Sequence, residues 1–442
     1  MVHPVGDRMA AFIAAARDRE YDAAVIGEAK RCLVDWVGVA MGAVDEPVSR
    51  ATVETALSWR AEGRGRIFRG PLTTPALAAL CNGTMGHAFD FDDTRGHAPS
   101  HLGSPTWSAV LALAGELDCD GATALNAFIT GYEISAVLGD GNFGNRMQAA
   151  GFHPTSVFGR LSAAAAASVL LGHDAEQAGH ALGVAATTAG GLTTSFGTMG
   201  KPLHSGRAAM DGILAAQLAS RGFAAARHAF DTAGGFADTF VQTEHFEFSG
   251  LAFTAGQSLF DNSYKPYACG KLIHPHIDAA RKLRDAVAGR AVAHIRCQVA
   301  EISTRLVGKP LPVTSLEGKF SVAFCIALAL EGHPVMPRDF APDRVGDPRL
   351  RALMERVELS VNPALERYAS ILDITLEDGD ILHAEVPRSL GNPDNPMSRE
   401  DIDAKFHALV EPVLGDRAAA LHDALVTVEE PGKLSRVLDL IA

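Results

Sequence analysis

None of the six cysteines, Cys32, Cys81, Cys119, Cys269, Cys297 and Cys325, forms a C-x-x-C pair with another. This argues against a zinc site of the usual spacing and against a cysteine-held iron–sulfur cluster, and it fits reduced thiols better than a disulfide framework. No apolar run reaches 18 residues, so no segment reads as membrane-spanning. The opening MVHPVGDRM lacks the apolar core of a secretory leader, and a cytoplasmic location is expected. Basic residues are few: 39 Lys and Arg against 52 Asp and Glu leave a net charge of −13, which argues against a nucleic-acid partner. An anionic substrate would have to be held by local cations and helix N-termini. Internal repeats and low-complexity tails are also missing.

What is present reads as a globular protein, with 47% hydrophobic and 21% charged residues. Its 43 glycines and long alanine runs point to closely packed helices. A chain of 442 residues is too long for one ordinary core, so two domains are expected. Over 22–41 the apolar positions Val25, Ile26, Ala29, Leu33, Trp36, Val37 and Ala40 recur at threes and fours, an amphipathic helix. Helices are expected through 6–62, 74–87, 105–118, 122–138, the alanine-rich stretch after Pro154, and 173–188, with RIFRG at 66–70 a short strand. After Asp261 the character changes, and β-like segments appear at 294–306, 357–361, 371–376 and 381–386 around one helix at 315–330. From Ser398 the chain is helical again, opening with a capping box of Ser398 and Asp401. The expected fold is mainly α with an α+β insert: a helical domain from 1–263 and 398–442, interrupted by a smaller α/β domain at 264–397.

The chemistry concentrates in NGTMGHAFDFDDTRGHAPSHLGSPTWS at 82–108. Asp90, Asp92, Asp93 and Thr94 fall within five residues, flanked by His87, His97 and His101. Ser104-Pro105 then reads as an N-cap and first helical position. The bland alternative is a solvated acidic loop before a capped helix. The pattern recurs, however: His101 precedes Ser104, His153 precedes Thr155, Lys201 precedes a Ser205 cap, and His274 precedes a helix at 276–287. If these N-termini converge, they make a pocket of positive dipoles, imidazoles and one amine, suited to a di- or tricarboxylate and to moving protons on and off carbon. Singly, each residue has a bland reading as a capping histidine or a surface lysine. By this criterion His87, His97, His173, His180 and His204 read as structural.

Other motifs fit less well. Asp90-Phe-Asp-Asp93 matches the D-x-D-D acid motif of terpene cyclases, but no N-x-x-[ST]-x-x-x-E partner follows, and aromatics at 7% are thin for lining a carbocation. GTMGKPLHSG departs from phosphate-loop spacing because Pro202 follows Lys201. His274-Pro-His276 has no third metal ligand at a recognisable spacing, and no metal is expected.

Taken together, HAFDFDDT (87–94), GFHPTSVFGRLSAAAAA (151–167), GKPLHSGRAAMDG (200–212), KPYACGKLIHPHIDAA (265–280) and LEGKFSVAF (316–324) resemble the MmgE/PrpD family, in family order. That family includes 2-methylcitrate dehydratase, cis-aconitate decarboxylase and iminodisuccinate epimerase. The resemblance implies a homodimer, an α/β lid over a helical domain, and a cleft site without metal or organic cofactor. It carries the family's aspartate and threonine to Asp90 and Thr94, its histidines to His101, His153 and His274, and its lysine to Lys201. Two departures stand out. The segment from Thr94 to His101 is one residue longer than in the decarboxylases, which makes His97 a second candidate for the His101 role. Leu306 stands where the decarboxylases have a lid tyrosine.

The expected activity is cofactor-independent proton transfer alpha to a carboxylate. The roles of base and carboxylate ligand are shared between Lys201 and His274, with His101 and His153 as acid or carboxylate ligand and Asp90 orienting a histidine. Thr94, His97, Lys265 and Lys271 are the expected substrate-binding residues. A 2-methylcitrate dehydratase-like reaction comes first, then epimerisation, then decarboxylation; a non-catalytic carboxylate-binding dimer is the alternative outside enzymes.

Overall fold

The amphipathic stretch at 22–41 forms helix α1 (Ala23–Gly42), with Leu33, Trp36, Val37 and Ala40 buried. The structure, a computed structural model, describes residues 4–96, 99–242, 246–248 and 250–442. It is mainly α with a smaller α/β part. The helices that build the site are α2 (Pro75–His87), α3 (Gly103–Leu117), α4 (Gly121–Gly139), α5 (Pro154–Leu170) and α6 (Gly200–Ser220). Helix α5 packs on α4 and α6, and its alanines from Ala163 to Ala167 are fully buried.

Helices α2 and α6 cross where glycine faces glycine. A Cβ on Gly83 would lie 2.8 Å from the Gly206 Cα, and one on Gly206 would overlap the Leu80 carbonyl oxygen. Only bare backbones fit at this crossing, which brings the end of α2 at His87 against the start of α6 at Lys201.

The α/β part holds a four-stranded sheet of β1 (Val292–Val299), β2 (Val357–Val361), β3 (Ser370–Leu376) and β4 (Ile381–Val386), in the order β2-β1-β3-β4. β1 runs parallel to β2, and the other pairs are antiparallel. β3 buries Ser370, Leu372, Ile374 and Leu376 in strict alternation. Helix α7 (His274–Val287) packs on β3 and β4.

Among the described residues, buried apolar side chains form two clusters. The first draws on Val5 to Tyr264 and on Met397 to Ile441, including helix α8 (Arg399–Leu414), which packs on α1. The second is built mostly from Tyr267 to Val386. Phe89 and Phe91 belong to the second cluster, so the acidic turn is wedged between the two cores. Ser398 and Asp401 make the capping box at the start of α8.

Several local expectations are corrected. α3 starts at Gly103, so Ser104 is not its cap; its hydroxyl instead meets the Ser205 hydroxyl at 2.9 Å. α6 starts at Gly200, because Pro202 is accepted within a first turn that needs no proline N–H. Ser205 is therefore a buried interior residue rather than a cap. The strand expected at 294–306 ends at Val299 and gives way to a helix, Glu301–Val307. The helix expected at 315–330 is split into Ser315–Gly318 and Val322–Leu330. RIFRG contributes only Arg66 to a two-residue strand pairing with Leu72–Thr73. Among the described residues no helix is long and apolar enough to cross a membrane.

Candidate active site

The acidic turn leaves α2 through Asp90, whose φ of +51° is unusual for a residue with a side chain. Three buried lysines from distant parts of the chain hold this turn by successive carbonyls. Lys319 Nζ donates to Phe89 O at 3.1 Å, Lys265 Nζ to Asp90 O at 2.6 Å, and Lys405 Nζ to Phe91 O at 2.7 Å. Lys405 also pairs with Asp35 at 2.7 Å, which ties the turn to α1 and α8. A left-handed aspartate persists where its surroundings over-determine it, and these bonds do so.

The Asp90 carboxylate faces Lys201, with Oδ1 2.7 Å from the Lys201 amine and 3.1 Å from that of Lys265. Burial would raise the Asp90 carboxyl, but the two ammonium groups outweigh it and hold it well below the usual carboxylate range. Burial also holds the Lys201 amine below the usual lysine range, against the pull of Asp90. The same amine lies 2.8 Å from His87 Nε2. On the other side of that ring, His87 Nδ1 lies 2.9 Å from both Asp92 oxygens. Burial lowers the His87 imidazole to about 4 despite Asp92. Asp92 is held below the carboxylate range because His87 and His101 overcome its burial. Its neighbour Asp93 is pushed up to about 8 by burial and by Asp92 and Asp35.

His101 stacks edge-on to His87, with ring centroids 4.5 Å apart, and its Nδ1 lies 3.3 Å from Asp92 Oδ2. Its backbone N–H donates to Thr155 Oγ1 at the start of α5. His153 is the residue before α5, and its Nδ1 lies 2.9 Å from His204 Nδ1. Burial and the Lys201 charge hold His153 well below its usual value.

These groups open on a cavity of about 60 Å³ between the two parts of the fold. Asp90, Thr94, His101, Gln148, His153 and Lys201 line one side; Lys265, Lys271, Leu306, Phe320, Arg367 and Tyr368 line the other. Lys271 is buried with no hydrogen-bond partner for its amine among the described residues, and burial and Lys265 bring that amine down to about 7. Arg367 donates to Asn145 Oδ1 at 2.8 Å and Gln148 Oε1 at 2.7 Å across the seam. A buried amine with no partner among the described residues, lining the same cavity as a guanidinium, is a site for an anion.

Of the residues expected from sequence, Asp90, Thr94, His101, His153, Lys201, Lys265 and Lys271 meet at this cavity. His274 does not line it: it is fully buried, with Nε2 3.2 Å from Cys269 O and its ring against Tyr267. His97 lies outside the described residues. His87, Asp92 and His204, which composition left as structural or unassigned, belong to the cluster. The signal for His87 was its place at the end of α2, five residues before Asp92. Arg367 and Gln148 carried no local signal.

Ligand-type atoms of His87, Asp90, Asp92 and His101 lie within 4.8 Å of one another. A divalent cation taking His87 Nε2 and Asp90 Oδ1 would displace Lys201 from both and break a buried pair. The donor set is organised around a lysine.

Residues 7–249 match the sequence model of the MmgE/PrpD N-terminal domain, and residues 267–429 that of the MmgE/PrpD C-terminal domain. The chain is 26% identical to a cis-aconitate decarboxylase of Aspergillus terreus, over 94% of this chain and 91% of that one. It is 29% identical to the Homo sapiens cis-aconitate decarboxylase, over 87% and 83% of the two chains, and 26% identical to the Mus musculus one, over 97% and 91%.

Proposed function

The chain belongs to the MmgE/PrpD family, and we propose that it is a lyase acting on a small di- or tricarboxylate by proton transfer at a carbon next to a carboxylate. The observation that carries this reading is the Lys201 amine, held between Asp90 and His87 at the wall of a cavity whose far side offers the unpartnered Lys271 amine. Lys271 and Arg367 bind the carboxylates. Lys201 exchanges the proton, and the surrounding ammonium groups stabilise enolate-like charge as it develops.

Decarboxylation of cis-aconitate is the first reaction to test, because relatives matching over most of their length carry that name. There the carbon–carbon bond to the leaving carboxylate breaks, its electron pair stays on the substrate, and an acid in the pocket protonates that carbon. Dehydration of a 2-methylcitrate-like hydroxy acid is the second reading. It stays open because Leu306 in the cavity wall is aliphatic, a departure from the lid tyrosine that the family resemblance leads one to expect of a decarboxylase. There Lys201 removes the α-proton and a protonated group assists loss of the β-hydroxyl.

Proton NMR in deuterated water with EDTA would test both, using 2-methylcitrate, citrate, cis- and trans-aconitate, methylaconitate and iminodisuccinate. The product names the reaction: a lost carboxylate, a new alkene, or an exchanged stereocentre. Lys201→Ala should reduce turnover by at least 100-fold. A loss of binding alone would instead favour a carboxylate-binding protein. The homodimer expected from the family is part of the same proposal, and light scattering behind size exclusion should return about twice the chain mass of 46.5 kDa.

A further inference from the structure

Lys201 poses a difficulty as a base. Its amine is 2.7 Å from the ionised Asp90, a contact that favours the ammonium form, which has no lone pair to accept a proton. The amine has a second neighbour, His87. Asp92 is ionised and can only accept, so His87 Nδ1 carries the hydrogen that points at it. In the neutral ring Nε2 is then a bare lone pair, 2.8 Å from the Lys201 amine. All three groups are buried at 4% exposure or less, so no solvent shell intervenes.

We propose that Lys201 and His87 hold one proton in common, and that Asp92, on the far side of the imidazole, lets that proton move to His87 and leaves Lys201 as an uncharged amine facing the substrate. The proposal rests on the proton-transfer reading above. The steps balance. An N–H bond of the Lys201 ammonium breaks as an Nε2–H bond forms on His87, and the Asp92 carboxylate offsets the positive charge of the imidazolium. The freed Lys201 lone pair then takes a proton from the carbon next to the substrate carboxylate. The C–H electron pair stays on the substrate as its enolate.

Other charged and titratable groups bear on this pair from each neighbouring element. Asp90 and Lys265 contact or approach Lys201, and both favour opposite forms of it. His101 faces His87 edge-on, and His153 stacks on it at 6.0 Å. His204 lies behind His153. Burial and these cations keep His101, His153 and His204 below their usual values, and burial likewise disfavours the His87 imidazolium, so the proton rests on Lys201 and passes to His87 only as the substrate is deprotonated. His87 does not line the cavity, and it acts through Lys201 as a positioning residue.

Two measurements test this. The first needs no substrate. Nitrogen-15 NMR of histidine-labelled protein, with His87→Gln to assign the signal, should show His87 as a neutral ring with hydrogen on Nδ1 at pH 7. Hydrogen on Nε2 overturns the proposal whatever the reaction proves to be. The second uses whichever carboxylate the NMR panel returns. In His87→Gln, Lys201 stays locked as the ammonium by Asp90. The acid limb of kcat/KM should then move up by at least one pH unit, with a loss of ten-fold or more at pH 7 that is recovered at high pH and KM changed little. Asp92→Asn keeps the shape and the Nδ1 acceptor but removes the charge, so it should shift the limb in the same direction by less. A loss equal at every pH in both variants overturns the proposal. Failure of every substrate in the panel would count against the functional reading, while the first measurement would still decide the proposal.

Discussion

Replacing Lys271 by methionine should stabilise the fold while weakening carboxylate binding. The amine is buried without a partner among the described residues, and its value falls from 10.5 to about 7. The unfolded chain therefore holds a proton between those values that the folded chain lacks. Wild-type stability from this group is undiminished above pH 10.5, declines as pH falls through the window, and reaches a constant penalty below about pH 7. At about 1.4 kcal/mol for each tenfold change the ceiling is roughly 5 kcal/mol, and water in the cavity leaves on the order of 2 kcal/mol. Methionine fills similar space without the charge. In urea unfolding, Lys271→Met should exceed wild type at pH 7 by about 2 kcal/mol and by much less near pH 9.5. The same variant should bind the polycarboxylate at least ten-fold more weakly. Near pH 8, wild type should take up close to one proton on binding, read by calorimetry in buffers of different ionisation heat. A variant less stable than wild type at pH 7, or a gain that does not change with pH, would refute the reasoning.

Asp93 is the acidic counterpart. Its carboxyl is raised from 3.8 to about 8, so the folded chain keeps a proton that the unfolded chain has released, and stability from this group is lost as pH rises between those values. Asparagine mimics the protonated acid, so Asp93→Asn should gain stability that grows from about pH 4 to about pH 8, to the order of 2 kcal/mol; a gain flat with pH in urea titrations would exclude a buried neutral acid. Gly206→Ala should cost roughly 1–3 kcal/mol through the overlap with Leu80 O. Its kcat should fall further than its melting temperature suggests, because the α2–α6 crossing sets the distance between His87 and Lys201.

Much of the fold was legible from local pattern. Periods of three and four mark α1, alternation marks the strands at 357–361, 370–376 and 381–386, and the Ser398–Asp401 box opens α8, because each depends on neighbours within a turn or two. The errors lie where local signals compete. Pro202 reads as a break, yet a first helical turn accepts it. The strand expected at 294–306 stops at Val299, since Ile302 and Leu306 suit a helix face as well as a strand. His274 shares its place at a helix start with His101 and His153, and its orientation, with the ring toward Cys269 and Tyr267, is set by the tertiary packing.

The sequence by itself determined the inventory of the site: the acids of the turn, the histidines and lysines at helix starts, and a negative overall charge that requires local cations for an anionic substrate. Only the tertiary structure decided which of them meet. His87 and Lys201 are 114 residues apart, and Lys405 reaches the Phe91 carbonyl across 314 residues. Protonation states followed from that assembly. Burial removes the water that would solvate each charge, so the state of Lys201, Asp93 or Lys271 is set by whichever ions the fold brings within a few ångströms, and no spacing along the chain encodes them.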